Sequence, residues 1–157
     1  MRIYTSYFYQ VRFFPPNAIP LSTAVWDPKW YHANKKQDHV FRDSRNVING
    51  MRIPLLMPDK SCDGDCRGRE NCKNPDPSTC DFLKHYRDQL DKINFQNFIN
   101  ELQVIASNTQ QMLGFREDPI ICLIVHEAPS NPCSERVAIQ NWFQDNYYPI
   151  SEWSRNS

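Results

Sequence analysis

Between Pro119 and His126 the chain runs Ile120-Ile121-Cys122-Leu123-Ile124-Val125, six residues without a polar side chain among them. A continuous apolar run of strand length, bounded by turn residues, is the pattern of a parallel strand covered on both faces. Such a strand needs helices around it, so the run restricts the chain to an α/β architecture. The expectation is a single Rossmann-like domain over residues 1–157, a mostly parallel sheet flanked by helices, with a cysteine-rich loop inserted. At this length, 40% hydrophobic residues suffice for one core and not for a second full domain.

The remaining elements follow from periodicity and punctuation. Ile3 to Val11 and, after the Pro15-Pro16 break, Ile19 to Val25 are β-branched and aromatic and read as strands. Trp26 to Asn49 lacks sustained periodicity and reads as a long connection with one helical turn. Asn49-Gly50 signals a turn before Met51 to Met57, which reads as a strand that Pro54 confines to an edge or a bulge. Phe82, Leu83, Tyr86, Leu90 and Ile93 form one helical face and Phe95, Phe98, Ile99, Leu102 and Ile105 another, with Asn94 as the break. Ile139, Trp142 and Phe143 mark a final helix, and Tyr148 to Trp153 a last short strand or packed tail.

Lys plus Arg equals Asp plus Glu at 18 each, so the chain has no global positive field for sequence-independent binding to nucleic acid, although a local basic face remains open. No apolar run approaches the roughly 18 residues of a membrane span, and Met1 to Gln10 does not read as a secretory signal. These features predict a cytoplasmic protein without a membrane partner.

Ligands of open α/β sheets collect beyond the carboxyl ends of the strands, which directs attention to His126 and Glu127. Asn131-Pro132 reads as an N-cap followed by proline at the first helical position, placing Cys133 in the first turn. A thiol there meets the positive end of the helix dipole, which favours the nucleophilic thiolate. Glu127 suits a general acid or base, or an acceptor for a sugar hydroxyl or base edge, and Arg136, one turn on, suits an anion. The alternative is structural: a buried Cys133, a capping Glu127 and a solvated Arg136. His126 reads as a strand-end histidine, and Cys122 as a small buried hydrophobe.

Of six cysteines, four lie in the polar segment 59–80: Cys62, Cys66, Cys72 and Cys80, spaced C-x3-C-x5-C-x7-C. Little apolar material is available to fold this segment, and four thiolates fill the tetrahedral shell of a structural zinc. An iron–sulfur cluster, disulfides and free thiols are the alternatives. Arg67, Arg69 and Lys73 lie among acidic neighbours and read as part of a solvated mixed-charge loop. Trp26-Asp27-Pro28-Lys29-Trp30-Tyr31-His32 combines rings and charge in a way that suits base stacking, or simple packing beneath a loop; Lys35, Lys36, Arg42 and Arg45 follow it.

Three blocks together, Ile3-Tyr4-Thr5-Ser6-Tyr7-Phe8, Asn49-Gly50-Met51-Arg52-Ile53-Pro54, and Leu123-Ile124-Val125-His126-Glu127 with Asn131-Pro132-Cys133-Ser134-Glu135-Arg136, resemble the bacterial and phage family catalogued as DUF four-eight-eight. The resemblance implies a compact α/β domain whose active site is an acidic strand end and a cysteine-containing helix start, which map onto Glu127 and Cys133. It brings no established activity. Relatives carry Cys-His-Arg where this chain has Cys133-Ser134-Glu135-Arg136, so a mechanism using that histidine as base lacks its counterpart here.

Two functions are therefore expected. One is an enzyme, a transferase or hydrolase acting on a nucleotide, nucleoside or similar small phosphorylated ligand through Glu127, Cys133 and Arg136. The other is a metal-stabilised, non-enzymatic module that binds protein or nucleic acid through the four-cysteine loop.

Overall fold

A computed structural model of the chain describes residues 1–31, 40–62 and 76–155. In chain order the elements are β1 (Arg2–Tyr7), α1 (Phe8–Val11), β2 (Ala18–Ser22), β3 (Phe41–Arg42), β4 (Ile48–Asn49), α2 (Asp81–Asp91), α3 (Phe95–Leu113), β5 (Ile120–Val125), α4 (Glu135–Asp145) and β6 (Ser151–Glu152). Short 3-10 turns cover Lys29–Tyr31, Pro54–Leu56, Lys60–Cys62 and Pro77–Thr79.

The apolar run forms β5, every residue of which is buried. It lies between β2 and β1 in a sheet of order β2-β5-β1-β6, and all three pairings are parallel. Alternation along β5 divides the core into two layers. Ile121 and Leu123, with Ile3, Ile19 and Leu21 from the neighbouring strands, pack against Tyr86 and Leu90 of α2, Phe98 and Leu102 of α3, and Ile139, Trp142 and Phe143 of α4. Ile120, Cys122 and Ile124 face the other way, onto Phe8, Val11, Phe14 and Tyr31. The three long helices thus cover one face, and α1 with irregular chain covers the other. Burial holds the Cys122 thiol well above its ordinary pKa, so it stays a protonated packing group.

The helix boundaries have local causes. Asn94 caps α3 by accepting a hydrogen bond from the Asn97 amide at 3.0 Å, so it separates α2 from α3. Gly114 ends α3 at φ +73, in the left-handed region that glycine enters without strain.

Three expectations are corrected. The first strand ends at Tyr7, because its register partner Val125 is the last residue of β5 and no ladder partner lies beyond; Phe8 and Val11, spaced for a helical turn, instead close α1 onto the core. Met51–Met57 forms no strand: Arg52 makes one parallel bridge to Ser22, and Pro54, which lacks an amide hydrogen, opens a 3-10 turn. The connection after Trp26 contains an antiparallel hairpin, β3 with β4, whose strands of two residues each leave no periodicity to read. Among the described residues no helix is long and apolar enough to cross a membrane.

Candidate functional site

The chain leaves β1 through α1, on the face opposite the long helices, and leaves β5 toward α4, on the helical face. Adjacent parallel strands whose connections diverge to opposite faces open a crevice at their carboxyl ends. Tyr7 and Val125 end the two strands, and His126 and Glu127 follow directly.

On one side of this edge is an aromatic cluster. The His126 ring lies 4.8 Å from Phe8 and 4.3 Å from Trp26, centre to centre, and its Nε2 is 2.7 Å from the Trp26 carbonyl oxygen. Trp26 is 67% exposed and Trp30 40%, so both rings are offered to solvent. An inner clamp fixes their loop: the Asp27 carboxylate accepts from the Ser22 hydroxyl and pairs with Arg52 Nε at 3.1 Å, while Arg52 Nη2 donates to the Ala24 carbonyl at 2.9 Å. Tyr31 is wholly buried, with its hydroxyl 2.9 Å from the Pro20 carbonyl; burial, with the nearby Asp27 charge, raises its pKa so that it remains a donor.

On the other side is a polar chain. Gln140 Nε2 donates to Thr5 Oγ1 at 2.7 Å, and Thr5 Oγ1 donates to Glu152 Oε1 at 2.7 Å. Arg136 grips the same carboxylate, Nε to Oε1 at 2.6 Å and Nη2 to Oε2 at 3.1 Å, and Nη2 also donates to the Glu127 carbonyl at 2.8 Å. Arg136 Nη1 is buried without a hydrogen-bond partner. The Glu127 carboxylate accepts from Ser134 Oγ at 3.2 Å through Oε2 and is partly exposed.

Glu127 and Arg136 are thus brought together, and Arg136 is a buried cation held by Glu152 and the Glu127 carbonyl rather than a surface charge. Cys133 is placed differently from expectation. The N-cap of α4 is Ser134, whose Oγ accepts from the Arg136 amide at 3.3 Å; Asn131 instead turns its Oδ1 onto the Cys133 amide at 2.9 Å. Asn131 so satisfies a local turn rather than the helix, and Cys133 precedes the cap. It lies outside the first turn, 1% exposed, in the core layer beneath the helices.

Cys62 ends the 3-10 turn Lys60–Cys62, Cys80 immediately precedes α2, and both are buried in that same layer. Cys66 and Cys72 lie outside the described residues, as do Arg67, Arg69, Lys73, His32, Lys35 and Lys36. Among the described residues no three His, Cys, Asp or Glu side chains are grouped to hold a metal. Arg45 pairs with Asp43 and Arg42 donates to the Pro16 carbonyl, so both serve the hairpin.

Sequence reasoning missed Glu152, Thr5 and the Asp27–Arg52 pair. An acidic residue inside the aromatic tail Tyr148 to Trp153 was the available signal for Glu152; the other partners are too far apart in sequence to form a local pattern. Compared with protein-family models, curated proteins and solved structures, the chain matches none.

Proposed function

We propose that the crevice between the carboxyl ends of β1 and β5 binds a nucleotide, nucleoside or related small phosphorylated ligand and carries transferase or hydrolase chemistry on it. The observation behind this reading is that one sheet edge carries a partly exposed carboxylate, Glu127, on one side and the exposed Trp26 ring against His126 on the other. Trp26 offers a face on which a base stacks. Glu127, restrained on one oxygen by Ser134, takes a proton from a sugar hydroxyl or water, or returns it to a leaving group. Arg136 is a positioning residue: with its guanidinium engaged by Glu152, its bond to the Glu127 carbonyl fixes the strand end. Cys133, enclosed in the core, has a packing role in this reading. The resemblance of the strand-end block to DUF four-eight-eight, with its acidic residue, points to the same place.

The test is thermal shift and turnover on a panel of nucleotides and nucleosides. Glu127→Gln should lower turnover by about a hundredfold or more, the scale of general acid–base catalysis. Trp26→Ala should weaken binding about tenfold by loss of stacking, and Cys133→Ala should leave turnover in place. Indistinguishable behaviour of wild type, Glu127→Gln and Trp26→Ala would remove the proposal.

The second reading is a metal-stabilised interaction module, favoured by one observation: Cys62 and Cys80, near the two ends of segment 59–80, are buried in the same core layer. With Cys66 and Cys72 they would complete a structural four-thiolate zinc shell, an iron–sulfur cluster being the less favoured occupant. Zinc would supply folding energy there rather than chemistry. Elemental analysis of protein purified without added metal should find about one zinc per chain; less than about 0.2, with reactive thiols, defeats the idea because such sites hold zinc tightly.

A further inference from the structure

Cations and rings alternate outward from the site. The Arg136 guanidinium carbon lies 5.6 Å from the centre of the Tyr7 ring. Tyr7 is nearly parallel to Tyr9, at 6.3 Å between centres and 19° between planes. Arg12 lies over Tyr9 at 4.6 Å and 6.0 Å from the Phe13 centre, and Arg155 lies over Phe13 at 4.4 Å. Gln10 ties the series together, donating from Nε2 to the Tyr7 hydroxyl at 3.3 Å and accepting at Oε1 from the Arg155 amide at 3.2 Å. Arg12 is further oriented by its Nε bond to the Tyr9 carbonyl at 3.2 Å.

Arg12 and Arg155 are exposed, and among the described residues neither forms an ion pair. With no described carboxylate paired to either, the two guanidiniums form a local concentration of positive charge. Tyr9 beside them is 54% exposed. Charge alone would suit any polyanion. The rings interleaved with it add flat faces, which a peptide carboxylate does not use and a nucleobase does.

We propose that Tyr9, Arg12, Phe13 and Arg155 form a docking track for single-stranded nucleic acid, bases stacking on the outer faces of the guanidiniums that the rings hold flat and phosphates meeting their N–H edges. The track leads toward the crevice, so that one nucleotide of the strand reaches Glu127; that last step alone rests on the site proposed above. The substrate class is then a polynucleotide rather than a free mononucleotide.

Fluorescence anisotropy of the full chain with a labelled twelve-residue uridine or thymidine oligomer tests this. Arg12→Ala with Arg155→Ala should weaken binding about tenfold or more and reduce the slope of log affinity against log salt by about 1.4, for two lost phosphate contacts. Tyr9→Ala should weaken binding about tenfold, and an abasic oligomer of equal length should bind about tenfold less tightly than the base-bearing one. Circular dichroism checks that each variant is folded. No binding by wild type at low salt, unchanged affinity of the double arginine variant, or equal binding of the abasic oligomer or of polyglutamate would each overturn the track. Mononucleotide binding that depends on Glu127 but survives loss of the track would leave the crevice reading standing alone. Track-dependent oligomer binding without any mononucleotide response would leave the track standing alone.

Discussion

Replacing both members of the Arg136–Glu152 pair should be far less damaging than the two single replacements suggest. Arg136 is 5% exposed and Glu152 19%, and they are joined by contacts of 2.6 and 3.1 Å. Breaking a buried pair from one side costs on the order of 3–5 kcal/mol, because the remaining charge is left in a poorly solvated place. Glu152→Leu strands the deeper charge: beyond its contact with the Tyr7 ring, Arg136 keeps the Glu127 carbonyl, and its Nη1 is unpartnered already. That variant belongs at the upper end, about 4–5 kcal/mol. Arg136→Met strands the shallower one, which keeps the Thr5 hydroxyl and some access to water, so solvent screening brings it to about 2–3 kcal/mol. In Arg136→Met with Glu152→Leu neither charge remains, and the loss should fall below the sum of the single losses by about 2 kcal/mol or more, the scale of coupling between contacting residues. Urea unfolding followed by far-ultraviolet circular dichroism at pH 7 measures all four corners of the cycle. Additivity within about 0.5 kcal/mol, or a larger loss for Arg136→Met than for Glu152→Leu, would refute the argument from burial.

Ser134→Ala removes the N-cap of α4 and a hydrogen bond to the Glu127 carboxylate; thermal unfolding should show a loss of about 1 kcal/mol. Tyr86→Phe removes the buried hydroxyl that donates to the Leu56 carbonyl and leaves that acceptor unpaired, at a cost of about 1–2 kcal/mol in the same assay. Burial pushes the Asp43 carboxyl up, but the Arg45 guanidinium and the Arg45 and Val47 amides outweigh it and hold the group below the usual carboxylate range. Its contribution is therefore complete above the unfolded value of about 4 and is lost as pH falls through the lower folded value. A pH series should show a shallower acid limb for Asp43→Asn than for wild type.

What was legible in the sequence depended on how far apart the cooperating residues lie. Ile120–Val125 declared a two-sided strand because every residue had to be apolar, and the faces of α2 and α3, with Asn94 between them, repeat within a few residues. Glu127 beside Arg136 was also legible, since one strand, one loop and one helix carry both. Cys133 misled because Asn-Pro is a sound helix start until Asn131 is taken by a turn and Ser134 is free to cap. Phe8 and Val11 continued the composition of a strand, and only the end of β5 told where the ladder stops. The Arg136–Glu152 and Asp27–Arg52 pairs join separate elements and have no local signature.

The strand order carries a consequence for biosynthesis. β1 and β2 are made first but never pair with each other, since β5 lies between them. A nascent chain that has emerged only through α3 therefore holds β1 and β2 with no ladder beyond the single Ser22–Arg52 bridge, and all three pairings of the sheet still to come. Both wait for Ile120–Val125, and only then can Tyr4 and Thr5 receive Ser151 and Glu152 on the far edge. Closing such distant contacts makes folding slow and leaves apolar edges open while translation continues. The interval before β5 emerges is when this chain has most need of a chaperone.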